Sequence, residues 1–493
     1  MDIGGVGPKA APIDVTNIKR GPIVAALIIG AFVSILNETL LNIAFPSLME
    51  DFGIAEATVQ WLATAYMLVV GILVPVTALL QQWFTTRQMF IGAMLLFLVG
   101  TILCSVAPSF GVLLAGRVIQ ALGTGLMLPV LMNTILAIFP PENRGGAMGM
   151  IGLVIMTAPV IGPTLSGLIV DSLNWRWLFY LVIPLAVFSI AFAWLYLKNV
   201  TELTRPKVDL VSIALSSVGF GGIVYGFSKA GEGSWSDPEV VWCIAVGALA
   251  VLLFTLRQLR MEEPMLDLRS FRYPMFSLVT VMMLVIMMSM FSLMIMLPLF
   301  LQNALGMTAL AAGLVMMPGG VINGLMAPIA GKLFDKFGPR PLVVPGLILM
   351  CVAIFFFTQI EATWTGGYII FLHVIMMIGI SLVMMPAQTT ALNQLPRLLY
   401  PHGTAIMNTL QQIAGAVGMA LFISIMSNGA KDYAMGTGDM NPISAMIAGL
   451  NDAFFVGFLL AVGALVLSFF VKRSNAPAEA PRAETKIEPE PLA

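Results

Sequence analysis

The chain has 493 residues, of which 59% are hydrophobic and 10% are charged, and its formal net charge is −1 at pH 7. A mean hydropathy of +0.96, with apolar blocks of about 20 residues that can each cross a bilayer as a helix, excludes an ordinary soluble domain. Because alternating ten-residue strands are absent, the sequence predicts an all-α membrane protein.

Fourteen candidate membrane spans follow one another along the chain. They occupy residues 22–46, 57–80, 88–106, 110–133, 146–171, 176–198, 208–229, 239–259, 276–301, 309–333, 341–358, 367–391, 404–428 and 452–472. With a cytoplasmic N-terminus, the even-numbered connections and both tails carry 20 of the 24 Lys and Arg residues. Only Arg176, Lys229 and Lys431 lie on the other side, so both termini are predicted to be cytoplasmic.

An internal repeat divides the chain. GKLFDKFGPR (331–340), after span 10, takes the place of ALLQQWFTTR (78–87), after span 2, and HGTAIMNTL (402–410) matches RGGAMGMIG (144–152). Two repeated six-span halves are typical of transporters whose substrate path lies between the halves. The predicted division is a cytoplasmic N-terminus at 1–21, an N-terminal bundle at 22–198, an inserted pair (spans 7 and 8) with its linkers at 199–275, a C-terminal bundle at 276–472 and a disordered cytoplasmic tail at 473–493.

The sequence lacks the motifs that several other classes of membrane protein need. The short connections contain no GxxxxGK[ST] phosphate loop, which argues against an ATP-driven pump. There are two histidines, no HExxH motif and no DxxD-like pair, and the three cysteines lie in apolar segments without metal-ligand spacing. An enzyme is therefore not expected, nor a metal or cofactor. A passive channel is disfavoured because no short filter segment appears.

Two buried charges share a depth in the predicted bundle. Glu38, in LNETLLNIAFP of span 1, costs roughly 2.5 to 3.5 kcal/mol to place in a bilayer. A rise of about 1.5 Å per residue puts it roughly 12 Å below the outer surface. Arg117, in LAGRVIQALGTG of span 4, lies roughly 10 Å below the same surface. The pair is predicted to face the protein interior and to couple transport to protons; the alternative is a static salt bridge between the two spans.

Span 5 contains APVIGPTLSG (158–167), in which prolines weaken the helix and glycines present a bare face to a neighbour. The predicted hinge residues are Pro159, Gly162, Pro163 and Gly167. The alternative is that glycine and proline are simply frequent in membrane helices.

GKLFDKFGPR, which follows span 10, predicts a cytoplasmic gate, because an acid near a helix terminus can lock two helices by charge and dipole. The gate residues are Gly331, Asp335, Gly338 and Arg340. The alternative is a basic loop that only sets topology. The first-half copy has Gln82 in place of the acid, so the lock is predicted to be one-sided.

The substrate cavity is predicted to be apolar and aromatic, with a few amides. Its candidate residues are Trp61, Tyr66, Gln120, Asn133, Asn408 and Gln411. The alternative is that the aromatic rings pack in the interior and the amides form interhelical hydrogen bonds. His373 in span 12 is either a proton relay or, more often for a single histidine, a hydrogen-bonded core residue.

Together, the motifs of spans 1, 4 and 5 and of the loop after span 10 resemble those of the fourteen-span drug/proton antiporter group (EmrB/QacA type) of the major facilitator superfamily. The resemblance covers nearly all of residues 22–472, and the span 5 motif resembles the antiporter motif that marks exporters. It implies a major facilitator fold of two six-helix bundles plus an inserted pair. Related exporters commonly have Asp at the position of Asn37, so Asn37 joins Glu38 and Arg117 in the predicted proton site.

The resemblance implies a proton-coupled antiporter that exports amphipathic drug-like molecules by alternating access, with protons as the coupling ion. The alternative is a transporter of one physiological solute, such as a peptide, lipid or siderophore, in the same superfamily. The expected location is a bacterial plasma membrane. The expected partners are the lipid bilayer and the small substrate, without nucleic acid. The protein is expected to be a monomer, and whether it needs an adaptor protein stays open.

Overall fold

The computed structural model describes residues 20–54, 56–59, 61–200, 203, 208–232, 235–437 and 441–473. The predicted cytoplasmic ends, apart from the residues next to the first and last helices, lie outside the described residues, as does most of the linker at 201–207. All regular secondary structure of the described part is helical, as the sequence predicts.

Sixteen helices make up the described part of the chain. They are α1 (Arg20–Leu40), α2 (Phe45–Phe52), α3 (Glu56–Val59), α4 (Trp61–Trp83), α5 (Thr86–Ser105), α6 (Phe110–Ile138), α7 (Arg144–Ser172), α8 (Arg176–Tyr196), α9 (Leu210–Glu232), α10 (Pro238–Arg260), α11 (Pro274–Leu299), α12 (Ala309–Phe337), α13 (Arg340–Phe357), α14 (Gly366–Asn393), α15 (Tyr400–Thr437) and α16 (Pro442–Ser468). Short 3-10 and π-helical turns join some of them.

Twelve helices of the described residues are long and apolar enough to cross a membrane. Helices α7, with 29 residues, and α11, with 26 residues, lie at predicted spans 5 and 9. Many large apolar side chains on the helix surfaces are exposed, among them Leu168, Trp194 and Trp242. An apolar exterior of this extent is expected where hydrocarbon replaces water as the solvent.

Three helix ends differ most from the sequence prediction. Helix α16 begins at Pro442, ten residues before the predicted start of span 14 at residue 452. Span 1 is predicted to reach residue 46, but α1 ends at Leu40 and a 3-10 turn at Leu41–Ala44 follows. The apolar run continues through that turn, so hydropathy alone shows no break. Span 13 is predicted to end at residue 428, but α15 continues to Thr437. Its last turns pack on α16, where Gly449 lies directly against the Met426 carbonyl.

The long helices pack as two groups. We call α1–α8 the N-terminal half and α11–α16 the C-terminal half. The halves meet mainly along two pairs of helices, α7 with α12 and α4 with α15, which we call the α7–α12 seam and the α4–α15 seam. Helix α9 packs on both α4 and α15, and α10 packs on α9. The α9–α10 pair therefore lies beside the α4–α15 seam.

An ion pair joins the start of α9 to the end of α10. Asp209, just before α9, accepts hydrogen bonds from the Arg257 guanidinium at 2.7 and 3.1 Å and from the Ser212 hydroxyl at 2.6 Å. The Arg257 guanidinium, helped by Ser212, holds the pKa of Asp209 at about 2. The pair ties α10 to α9 at the surface, where such contacts add little stability.

Candidate functional site

Arg117 is fully buried in α6 among neutral partners. Its Nη1 donates to the Asn37 side-chain oxygen at 3.0 Å and to the Gln120 side-chain oxygen at 3.1 Å. The guanidinium carbon lies 4.1 Å from the centre of the Tyr66 ring, a cation–π contact that is strong when it is removed from water. The positive charge of Arg117 is therefore stabilised by two amide oxygens and an aromatic ring, without direct contact to a carboxylate.

A second layer of hydrogen bonds orients these partners. The Tyr66 hydroxyl donates to Thr124 Oγ1 at 2.6 Å, and the Gln120 amide nitrogen donates to Thr101 Oγ1 at 2.8 Å. Tyr66 and Gln120 are 1% and 0% exposed, so in this conformation both belong to the Arg117 network rather than to an open surface. Helices α1, α4, α5 and α6 all contribute to the network.

Glu38 lies beside this network without entering it. It is half-buried in α1, next to Asn37, and close enough for the Arg117 charge to act on it. Among the described residues it forms no ion pair, and Arg117 bonds to Asn37 instead. The direct Glu38–Arg117 salt bridge that the sequence left open is therefore not formed in this conformation.

Helix α7 touches α1 immediately after Glu38. A Cβ atom at Gly162 would overlap Thr39 Oγ1, and Ser166 Oγ donates to the Leu40 carbonyl at 2.6 Å. Gly167 has open space around it, with nothing within 4 Å of an added Cβ atom. Pro159 and Pro163 lie within the helical range of α7, but their side chains are outside the described part. The antiporter-like segment thus contacts α1 beside the predicted proton site.

Asp335 closes one end of the α7–α12 seam, the end that the charge bias of the sequence predicts to be cytoplasmic. Its two carboxylate oxygens accept from the backbone N–H groups of Gly145 and Gly146, at 2.7 and 2.8 Å, in the first turn of α7. A carboxylate at a helix N-terminus binds free N–H groups and the positive end of the dipole. An added Cβ at Gly331 would overlap the Gly145 carbonyl, so this contact requires glycine.

The other two predicted gate residues lie beyond this contact. Gly338 ends α12 with a φ of +82°, a conformation that favours glycine, and lies against Arg473. Arg340, at the start of α13, is exposed. The Arg473 side chain donates to the Asp335 backbone carbonyl at 3.3 Å. The region that follows the last span thus contacts the gate.

The α4–α15 seam closes with different chemistry. The Gln82 side-chain nitrogen lies 3.3 Å from His402 Nε2, and the other ring nitrogen of His402 accepts from the Asp267 backbone N–H at 3.2 Å. One layer further in, Asn133 accepts from the Thr404 hydroxyl at 2.7 Å and donates to Gln81. Asn133, predicted to line the cavity, is buried at this closure of the α4–α15 seam in this conformation.

Sequence reasoning missed Arg144, the first residue of α7. It is 2% exposed and bonds to both halves, donating to Asn393 Oδ1 at 2.7 Å and to the Tyr400 hydroxyl at 2.8 Å across the gap. Arg144 is the first residue of RGGAMGMIG, one of the segments that mark the internal repeat. A lone arginine at a predicted cytoplasmic helix end is ordinarily interpreted only as a residue that sets the orientation of the helix in the membrane.

Comparisons with known proteins identify the fold. Residues 27–419 match the Major Facilitator Superfamily. The chain belongs to this superfamily. It is 52% identical over 463 residues to the lincomycin resistance protein LmrB of Bacillus subtilis, covering 92% of this chain and 96% of that protein. It is 27% identical to the multidrug export protein EmrB of Haemophilus influenzae, covering 80% of this chain and 78% of that protein.

A solved structure supports the major facilitator fold independently. The human organic anion transporter MFSD10 superposes with a TM-score of 0.66 at 13% identity, covering 91% of this chain and 99% of that chain. At this identity the likeness concerns the fold alone. The predicted resemblance to the drug exporters of the superfamily is confirmed, and the superfamily is one of transporters, not enzymes.

Within the major facilitator fold, the remaining predicted residues are spread over both halves. Trp61, 37% exposed, stacks on Tyr225 of α9 with ring centres 5.9 Å apart. Asn408 and Gln411, on one face of α15, have buried amide nitrogens that donate to no described residue. His373 is buried against the bare face of α12 at Gly319, and its Nδ1 has no partner in the described part.

No group of three or more His, Cys, Asp or Glu residues suited to a metal ion occurs in the described ranges. The ionisable groups at bilayer depth are instead single side chains, such as Glu38, Arg117 and His373. Proton movement and electrostatics are the chemistry that such groups can carry.

Proposed function

We propose that this chain is a proton-coupled exporter of amphipathic drug-like molecules in a bacterial plasma membrane. The observation that carries the proposal is the buried Arg117 network with a free carboxylate, Glu38, beside it. The likeness to lincomycin resistance and multidrug export proteins supports the substrate class. The working unit is a monomer with fourteen spans and both termini in the cytoplasm.

The fourteen-span architecture is supported by helix length. Helices α7 and α11, added to the twelve candidate spans, bring the number to fourteen. The inserted pair corresponds to α9 and α10, which pack beside the α4–α15 seam. The charge bias of 20 to three in the sequence supports the orientation.

Protonation of Glu38 is the proposed coupling step. Arg117 is held by Asn37, Gln120 and Tyr66, all neutral, so no direct acid partner cancels its charge. The proton affinity of a nearby carboxylate then depends on its distance from Arg117 and on access to water. When α1 shifts relative to α6, both quantities change, and Glu38 can bind a proton from one side of the membrane and release it to the other.

Helix α7 is the proposed connection between the proton site and the gate. Gly162 and Ser166 contact α1 at Thr39 and Leu40. Gly145, at the other end of α7, binds Asp335 of the C-terminal half. The contacts at Gly145 and Gly162 are about 25 Å apart along one helix. Helix α7 is continuous from Arg144 to Ser172. Because it contacts both sites, it transmits movement of α1 to the cytoplasmic closure.

The substrate is proposed to bind between the halves, just above the cytoplasmic closure. Asn408 and Gln411 follow Thr404 by one and two turns on α15, so they share the face that meets the N-terminal half. Their unpartnered amide nitrogens would donate to carbonyl or hydroxyl oxygens of a drug. The abundant methionines would supply adaptable apolar contacts. Trp61, about 30 Å from Gln81 along α4 and stacked on Tyr225, lies too far from this position to take part.

The decisive experiment measures collapse of a pH gradient in vesicles that contain the purified protein when lincomycin is added. The wild type is expected to collapse the gradient, and Glu38→Gln is expected to abolish the collapse because it has no titratable carboxyl. Glu263→Gln makes the same substitution in an exposed loop and should behave as the wild type. Gradient collapse by Glu38→Gln at the wild-type rate would contradict the proposed proton site.

A further inference from the structure

Arg144 makes more bonds than any other side chain at the cytoplasmic closure that the structure describes. Besides Asn393 and Tyr400 of the C-terminal half, it donates to the Leu136 carbonyl at 2.7 Å and to the Phe139 carbonyl at 3.0 Å in its own half. Its guanidinium carbon also lies 4.9 Å from the centre of the Tyr400 ring. One side chain thus connects the ends of α6, α14 and α15.

All of these partners are neutral. Among the described residues Arg144 forms no ion pair. The neighbouring acid, Glu142, is exposed in the preceding turn, and the other nearby charge is the cation of Arg397. A buried cation without an acid loses its hydration and gains only hydrogen bonds in return. The closed state therefore holds a charge that water would solvate if the seam opened.

We propose that Arg144 is the latch of the cytoplasmic gate and that Asn393, a neutral partner, keeps this latch reversible. Closure gains two hydrogen bonds and a ring contact across the halves. Opening returns the guanidinium to water, which offsets part of the loss of those contacts, so the latch favours closure without locking it. An acid at position 393 would remove this balance, because a charge-assisted bond would favour the closed state alone. The inference rests on the proposed alternating access.

The test measures the separation of the halves directly. Spin labels at Lys198 and Lys472, exposed at the cytoplasmic ends of the two halves, report their distance in lipid nanodiscs by electron paramagnetic resonance, with the native cysteines replaced. Arg144→Gln is expected to shift the closed-to-open ratio at least about tenfold towards the open state. Asn393→Asp is expected to shift it in the opposite direction by a similar factor and to slow lincomycin export.

Two matched variants control for charge and for folding. Arg272→Gln removes an exposed arginine and should keep the wild-type distances. Asn143→Asp adds the same charge at the exposed residue before α7, beside the Asp335 carboxylate, so it should not shift the ratio towards the closed state. If Arg144→Gln does not fold, Asn393→Asp and the milder Tyr400→Phe, which removes one bond, still give opposite shifts.

The latch is overturned if Asn393→Asp leaves the distances unchanged or opens the seam, or if Asn143→Asp has the same effect as Asn393→Asp. This readout does not depend on transport. Failure of the wild type to exchange lincomycin for protons would therefore contradict the proposed function and leave the distance result for the latch intact. A normal wild-type exchange with no distance change in the variants would contradict the latch alone.

Discussion

The two seams of the molecule occupy matching places in the repeat but close with different chemistry. At the α7–α12 seam, the Asp335 carboxylate binds two backbone N–H groups, and Gly331 lies directly against Gly145. At the α4–α15 seam, the corresponding positions are Gln82 and Ala78, and Gln82 faces an imidazole. One seam is therefore held by a charged side chain and has glycines in direct contact. The matching seam is held by a neutral side chain and has alanine where the first has glycine.

This difference predicts that the two seams contribute unequally to the stability of the closed conformation. A hydrogen bond to a charged group contributes about 1.5–3 kcal/mol, against about 0.5–1.5 kcal/mol for a neutral one. The α7–α12 seam is then the firmer contact, and under the proposed alternating access we expect the α4–α15 seam to separate first when the cytoplasmic side opens. Helix α9, which packs on both α4 and α15, lies where that movement would occur.

The largest expected effect comes from Gly331→Ala. The added Cβ would overlap the Gly145 carbonyl, a backbone atom that cannot turn aside. Overpacking of this kind costs about 1–3 kcal/mol, and we expect the upper end of that range as a loss of cytoplasmic closure. The spin-label distance between Lys198 and Lys472 should lengthen. Ala78→Gly, at the matching place in the other seam, should change the distance little, and equal effects would contradict the comparison.

The next effect is expected from Asp335→Asn, which keeps the shape and removes the charge. The closed state should lose about 1.5–2 kcal/mol, because the amide can no longer offer two charged oxygens to the α7 N-terminus. The populations of the two spin-label distances give this free energy directly. Lys336→Gln, an exposed neighbour, serves as the control. A closed-state population unchanged by Asp335→Asn would show that the charge is not what holds the seam.

Gln82→Asp tests whether the weak seam can be given the chemistry of the strong one. The new acid would face His402 near the N-terminus of α15, where a negative charge is stabilised by about 1 kcal/mol. We expect a larger closed population and slower export, measured in the same nanodisc and vesicle assays. Faster export with a more open cytoplasmic side would be the opposite result and would reject the proposed symmetry of the two contacts.

A smaller effect is expected within α7, where the outer half contacts α1. Gly162→Ala should displace α7 from Thr39 and reduce drug-driven proton movement several-fold, at a cost of about 1 kcal/mol. Thr39→Ala removes the obstructing hydroxyl and should restore part of the activity. Gly167→Ala, with open space around it, is the matched control. A loss of activity in Gly167→Ala equal to that in Gly162→Ala would indicate a general effect of helix packing.

The smallest effect is expected at the proposed substrate face. Gln411→Leu removes an unpartnered donor and should raise the KM for lincomycin about threefold to tenfold, with little change in the maximal rate. Gln412→Leu alters the neighbouring exposed glutamine and should leave KM unchanged. If Gln412→Leu has the larger effect, the face of α15 that meets the drug has been assigned wrongly.

Several residues show which features of the candidate site can be predicted from the sequence. Glu38 and Arg117 were predicted to share a depth, and the structure brings their charges within range of each other but pairs Arg117 with Asn37. Tyr66 was predicted to line a cavity, yet it lies under Arg117. Depth follows from the rise per residue, but the side of the helix that meets a neighbour depends on how the helices are rotated against each other.

By itself, the sequence determined the all-helical membrane class, the repeat, and the family resemblance that the comparisons confirm. These follow from quantities summed along the chain, such as apolar length, charge bias and spacing, and need no knowledge of contacts. Only the tertiary structure decided which partners meet: Asp335 with the α7 N-terminus, Arg144 with Asn393, and Gly162 with Thr39. Those contacts join residues far apart in the chain, and no local pattern of hydropathy records them.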